Sequence, residues 1–410
     1  MSSILHIIPK ITFGGGLSNI LAELQFLPAE MRPEQVYCVV LEPSYQAHLA
    51  RLALKLRVRL IISPDDEELK SLLGKADLVV IQYWNTPGFF TFFQKLADWK
   101  LSNRFVMHSR IVGNTPPQCI PPGLIKAFHS ILLTNPKLKS EFSDIGVSMT
   151  TIWGIGLHAP PTQLQESRPP TNCLKLIHAG TINPFKLHPK FIELHEGLKI
   201  PFQLDVFGVE NQSLVYEGRL PIHLHPFETN VWERYSEYHL LSYPQNPLSY
   251  GSSDLVIQEA MWRGLPPILI KGTGLDAFLV HQKNCLLAND ENDFVYWLEW
   301  TFSHWEEMEE LRQSCFVYAQ QEFNPWMQSK KVFDVYSEVL NQEPRKFIFD
   351  FNRVEDFYLA HLGLYLQELY RTTPDPQVKS YALHCEGGLI HYLKHFENSK
   401  TLQNLLKNWY

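Results

Sequence analysis

The segment YGSSDLVIQEAMWRGLPPILI, Tyr250 to Ile270, contains a small-residue turn, an apolar helix and a buried strand in one run. Gly251, Ser252 and Ser253 precede a helix expected over 253–263, and either serine suits its N-cap. Backbone N–H groups and hydroxyls then converge where the helix dipole favours an anion. Glu259 lies within that helix among Leu255, Val256, Ile257, Ala260 and Met261. Simple solvation of a carboxylate is not expected in such company. Gly264 ends the helix, and PPILIKG (266–272) reads as a strand buried on both faces.

The same rhythm runs outward in both directions. LKLIHAG (174–180), FQLDVFG (202–208), YHLLSYP (238–244) and NCLLA (284–288) read as further strands. Helices are expected near 188–197, 227–234, 275–281, 291–301, 304–322 and 327–341. Residues 1–158 repeat the pattern with strands ILHII (4–8), VYCVVL (36–41), VRLII (58–62), DLVVIQ (77–82), RFVMH (104–108) and ILLT (131–134). Helical patterns separate them at 17–27, 44–55, 65–74, 88–99, 122–128 and 136–144. Such alternation predicts open, doubly wound parallel sheets.

Between the halves, APPTQLQESRPPTN (159–172) holds Pro160, Pro161, Pro169 and Pro170 and reads as a linker. The expected fold class is therefore α/β, with two Rossmann-like, doubly wound domains, 1–158 and 173–325. They are expected to face each other across a cleft at the carboxyl ends of their strands. A helix over 326–340 is expected to return to the first domain. Residues 341–410 are expected to form a wholly helical extension, with Leu402, Leu405, Leu406 and Trp409 making one apolar stripe.

Composition agrees with a folded chain. At roughly 150 residues per domain, 410 residues suggest two or three domains. Hydrophobic residues at 45% and charged residues at 19% exclude a disordered protein. The net charge of −7 argues against nucleic acid as a partner. Cys38, Cys119, Cys173, Cys285, Cys315 and Cys385 lie far apart without a CxxC pair, as in reduced, cytosolic usage. The start MSSILHIIPK does not read as a signal peptide, and no apolar run reaches bilayer-spanning length. A cytoplasmic location is expected.

Two further motifs carry chemistry. FGGGLSNIL (13–21) follows the first strand and opens a helix, so Gly15 and Gly16 allow close approach of a ligand to backbone N–H groups. It is not GxGxxG, which removes support for a nicotinamide or flavin site. HAGTINPFK (178–186) leaves the first strand of the second half, and Lys186 there suits a phosphate. The 17 histidines show no metal-ligand spacing, so neither metal nor cofactor is expected. HLARLALKLRVRL (48–60) puts His48, Arg51 and Lys55 on one helical face, either solvated or set against anionic lipid headgroups at a membrane surface. Tyr83, Trp84, Phe89 and Phe90 are either core or a stacking surface for an acceptor sugar or lipid.

The order of glycine turn, proline linker, AGTINPFK and YGSSDLVIQEAMWRGLP resembles glycosyltransferase family 4, of the GT-B fold. The likeness covers roughly residues 1–340 and is most specific over 235–288. It implies retaining transfer of a sugar from a nucleotide-diphosphate sugar to a glycan, lipid or protein acceptor. Lys186 stands at the family's diphosphate-gripping lysine and Thr181 where an arginine would be. Glu259 matches a carboxylate that binds the nucleotide's ribose, while Gly251 stands where a first glutamate would be. His108 stands where the family places a histidine against the donor sugar, and Thr150–His158 resembles its hinge strand. The resemblance thus implies His108 and Lys186 as catalytic residues. It implies Gly15, Gly16, Thr181, Lys186, Tyr250, Gly251, Ser252, Ser253 and Glu259 as donor-binding residues. Arg110 or Lys271 is expected to supply the charge missing at Thr181. The departures at Thr181 and Gly251 keep a second reading open: a catalytically weakened GT-B subunit that binds a protein partner through 341–410.

Overall fold

The computed structural model describes residues 2–12, 15–166, 169–209, 214–251, 254–363 and 376–409. They divide into two compact units, one of Met1–Leu157 with Pro325–Tyr410 and one of His158–Asn324.

The first unit is built on β1 (Ser3–Ile8), β2 (Gln35–Val40), β3 (Val58–Ile62), β4 (Leu78–Tyr83), β6 (Phe105–Ser109), β7 (Ser130–Leu133) and β8 (Ser148–Thr151). A two-residue strand, β5 (Ser102–Asn103), lies outside that sheet. The sheet order is β3-β2-β1-β4-β6-β7-β8, and every pairing is parallel. Largely apolar strands follow from burial on both faces: every residue of β4 is buried, Gln82 included. Helix Gly16–Phe26 covers one face, and Val332, Phe333, Tyr336 and Val339 of helix Pro325–Leu340 join Leu17, Ile20, Leu21 and Leu24 in its core.

The second unit holds β9 (Leu174–Ala179), β10 (Phe202–Phe207), β11 (Ile222–His225), β12 (Leu240–Ser242), β13 (Pro267–Ile270) and β14 (Leu286–Ala288). Its order is β11-β10-β9-β12-β13-β14, again all parallel. Strand order reverses between β9 and β12, the crevice where open α/β sheets receive ligands. Gly208, at φ +108°, ends β10; a Cβ there would lie 1.9 Å from the Gly180 carbonyl oxygen, so no other residue fits without moving backbone.

Several expected elements change. Residues 227–234 and 275–281 are not α-helical; short 3₁₀ turns form at Val231–Glu237 and Gly274–Ala277 instead. β8 and β11 escape the apolar-run criterion because SMTT is three-quarters polar and IHLH half polar. The tail is not wholly helical. Arg345–Lys346 forms β15, antiparallel to β5. After it Phe347 is buried, Ile348 exposed, Phe349 half-buried and Asp350 exposed, the period of extended chain. Helices Val354–His361, Pro376–His384, Leu389–His395 and Lys400–Trp409 follow. Leu402 is buried and Leu405 and Leu406 are half-buried, while the Trp409 side chain lies outside the described residues. No described helix is long and apolar enough to cross a membrane.

Candidate functional site

Two loops leave the carboxyl ends of β9 and β12 on either side of the strand-order reversal. The first turns at Asn183, whose Oδ1 accepts from Phe185 N at 3.0 Å and Lys186 N at 2.9 Å. Asn246 ties the second loop to it, donating from its backbone N to Lys186 O at 2.8 Å and from Nδ2 to Pro184 O at 2.9 Å. Lys186 is thereby presented beside the turn that begins the helix Leu255–Trp262.

Its partner there is Asp254. Lys186 Nζ lies 4.0 Å from Asp254 Oδ1, and Oδ2 accepts from Tyr243 Oη at 2.8 Å and Gln245 Nε2 at 2.6 Å. A Cβ on Gly251 would come within 3.2 Å of Asp254 Oδ1, so a side chain there would crowd the carboxylate. The helix N-cap is Asp254 rather than a serine, and its side chain makes no capping bond because Tyr243 and Gln245 hold it. Ser252 and Ser253 lie outside the described residues. Tyr250 is half-buried, and Thr181 is exposed just past Gly180. Lys271 Nζ donates to Asn289 Oδ1 at 2.6 Å, beyond β13.

Glu259 is half-buried one helical turn on, and burial pushes its carboxyl up to about 7. Tyr235, whose buried hydroxyl lacks a partner among the described residues, feels that carboxylate and is pushed up by burial as well. Folding therefore favours the protonated acid. That contribution is complete below about pH 4.5 and is lost as pH rises through 7. Glu259→Gln is expected to match the wild type at about pH 4 and exceed it by about 1–2 kcal/mol at about pH 8, after discounting for partial solvation. Urea unfolding at the two pH values measures this; a difference independent of pH would show an ordinary carboxylate.

Behind the loops the histidines are structural. Burial lowers His178 and His195 to about 4, with Ser242 bonded to both: His178 Nδ1 lies 2.9 Å from its carbonyl and His195 Nε2 2.8 Å from its hydroxyl. Asp205 gathers His223, His225, Gln203 and Tyr238; burial opposes its charge, yet these four bonds hold its carboxyl below the usual range. Among the described residues no group of three His, Cys, Asp or Glu could hold a metal ion.

No family model and no curated protein matches this chain. Solved structures do. HepE from Anabaena, solved in complex with UDP-glucose, is 13% identical with a TM-score of 0.61, over 82% of this chain and 100% of that one. A glycosyltransferase from Rickettsia africae ESF-5 is 11% identical with a TM-score of 0.62, over 83% and 99%. Sucrose-phosphate synthase from Thermosynechococcus elongatus is 13% identical with a TM-score of 0.59, also over 83% and 99%. This chain has the GT-B fold.

The other residues singled out in the sequence lie in the first unit of this GT-B chain. Gly15 caps helix Gly16–Phe26, and its carbonyl accepts from Asn19 N at 3.2 Å and Asn19 Nδ2 at 3.0 Å. Gly16 is buried; a Cβ there would lie 3.0 Å from Ile8. His108 has no exposed surface, so in this unit it meets protein and not solvent. Its Nδ1 lies 3.1 Å from Arg110 Nη2, and burial, Arg110 and His6 hold it well below the usual range, neutral. Arg110 is also engaged by Glu23 Oε1 at 2.9 Å and Gln82 Oε1 at 2.8 Å, so its charge is already offset. Tyr83, Trp84, Phe89 and Phe90 are all buried, which makes them core. His48, Arg51 and Lys55 are exposed on helix Ala47–Lys55. Asn183, Tyr243 and Gln245 went unnoticed in the sequence because only the fold brings their loops together.

Proposed function

We propose that this chain is a glycosyltransferase that moves a sugar from a nucleotide-diphosphate sugar to an acceptor hydroxyl, with retention and without a metal. One observation carries the reading. Lys186, positioned by Asn183 and Asn246, stands at the start of helix Leu255–Trp262, at the strand-order reversal of a GT-B sheet.

In this reading the anomeric carbon–phosphate oxygen bond breaks with oxocarbenium character while charge grows on the departing diphosphate. Lys186 and the N–H groups that open helix Leu255–Trp262 receive that charge from preorganised positions. The acceptor oxygen forms the new bond to carbon, and its proton leaves with the phosphate. Glu259, poised near neutrality, accepts a ribose hydroxyl. Asp254 has a positioning role: anchored by Tyr243 and Gln245, it orients the ammonium and yields it when a diphosphate enters. The members of the GT-B fold solved with UDP or UDP-glucose support a nucleotide-sugar donor here.

A melting-temperature screen with UDP-, GDP- and ADP-sugars tests the proposal. The matching donor at a hundred times its Kd is expected to add about 2.7 kcal/mol of stability. Silence with all of them would end the donor reading. Thr181, exposed and uncharged where a second cation is implied, favours an alternative in which the chain binds the donor without transferring it. A shift with no sugar transfer and no donor hydrolysis would select that subunit role.

A further inference from the structure

Cations gather at the amino edge of the first unit's sheet, the end of its strands away from the loops where open α/β sheets receive ligands. Arg104 stands immediately before β6 and His129 immediately before β7. Both meet the chain that enters β15. Arg104 Nε donates to Gln342 O at 2.6 Å, and His129 Nε2 lies 3.1 Å from Glu343 O. In β15 itself, Arg345 Nη2 donates to Lys126 O at 3.3 Å. Lys126, Arg345 and Lys346 are exposed, and Arg104 is half-buried.

His129 reports the field at this edge. Its Nδ1 accepts from Phe105 N at 3.0 Å, so the single proton of the neutral ring sits on Nε2 and goes to Glu343 O. Burial lowers the ring below its usual range, and Arg345 and Arg104 lower it further against the pull of the Glu343 carbonyl. Both guanidinium charges therefore lie within electrostatic reach of one imidazole. Burial also lowers Arg345, and no acidic neighbour offsets that cost.

What the cluster lacks is a carboxylate. Among the described residues, Arg104, Lys126, Arg345 and Lys346 form no ion pair, and the exposed Glu343 carboxylate pairs with none of them. The bonds that the two arginines do make end on backbone carbonyls. A neutral amide donor would hold those carbonyls as well, so fastening the segment does not account for the charge. Each guanidinium has five N–H donors, and most of them are left over.

These groups select a ligand class. A monocarboxylate offsets one cation only. A phosphate carries a charge of about −1.5 to −2 near neutral pH and presents three acceptor oxygens, which suit the planar fork of arginine.

We propose that Arg104, Arg345 and Lys126 form a binding site for a phosphate dianion, borne by a small metabolite or by a membrane lipid headgroup. The site shares no residue with the Lys186 turn and stands whether or not the second unit binds a nucleotide sugar.

The test is isothermal titration of the full chain with inorganic phosphate and with glycerol 3-phosphate, beside acetate at matched ionic strength. At least one phosphate is expected to bind in preference to acetate. Arg104→Gln and Arg345→Gln should each weaken it about tenfold or more. Lys186→Ala should leave it unchanged, which separates this site from the donor site. If either arginine variant fails to fold, Lys126→Gln, which keeps the carbonyl that holds Arg345, makes the comparison with a loss of several-fold. Sedimentation with phosphatidylcholine vesicles, with and without phosphatidic acid, distinguishes the sources. Binding only to the phosphatidic acid vesicles, lost in the arginine variants, would assign the phosphate to a lipid. No binding of either phosphate or of either vesicle would overturn the proposal. So would binding indifferent to Arg104 and Arg345, binding lost in Lys186→Ala, or an equal response to acetate.

Discussion

Lys186→Ala is expected to abolish the melting shift given by the matching nucleotide sugar and to lower transfer by about two to three orders of magnitude. Removing one preorganised partner of a developing oxyanion costs about 2.7–4 kcal/mol in the transition state. The unliganded fold should barely notice. Lys186 is more than a third exposed and its 4.0 Å pair with Asp254 is worth at most about 1 kcal/mol. Asp254 keeps Tyr243 and Gln245 after the change, so no buried charge is stranded. Donor titration, product analysis and an unliganded melt on one preparation separate the two effects. An unchanged donor affinity in the variant would remove Lys186 from the site, and a collapse of the unliganded melt would make it structural.

Phe357→Ala should be the most damaging single change outside that site. Phe357 is fully buried in the C-terminal segment, with ring centroids 5.6 Å from Phe90, 5.5 Å from Phe349, 5.3 Å from Phe351 and 4.3 Å from His361. Truncating such a ring costs about 3–5 kcal/mol in lost transfer energy and residual cavity. The loss falls on the seam between the helix Pro87–Trp99 and the rings of Phe349, Phe357 and Phe396, where His361 also reaches the Tyr83 hydroxyl. Urea unfolding should therefore show a large drop, and limited proteolysis should cut within the C-terminal segment first. A drop under about 1 kcal/mol would mean that this segment is not packed in solution as it is here.

The sheets were legible because parallel strands covered on both faces must be apolar along their whole length. VVI in β4 and PILI in β13 meet that demand openly. β8 and β11 lie at sheet edges, where one side lacks a partner and polar residues are tolerated, so the same criterion misses them. The tail misled for another reason: Phe347, Phe349 and Phe351 carry a period of two inside a stretch otherwise rich in helix formers. Of the candidate site, Lys186 and Glu259 stand out in the sequence from their places after a strand and within an apolar helix. Asp254 could be noticed only as a neighbour. Its attachment to Tyr243 and Gln245 depends on the antiparallel bridge between Leu187 and Gln245, which no local pattern announces. Arg110 shows the converse limit: in the sequence it looks open to a ligand, while in the fold Glu23, distant in sequence, holds its guanidinium at 2.9 Å.

Because Pro325–Leu340 completes the core around Gly16–Phe26, the first unit is closed by residues that follow the whole second unit in the chain. During synthesis the nascent N-terminal sheet must wait, with Leu17, Leu21 and Leu24 uncovered, while the whole inserted unit emerges and folds. A fragment ending near Leu157 would be such a stalled intermediate, a sticky client for chaperones.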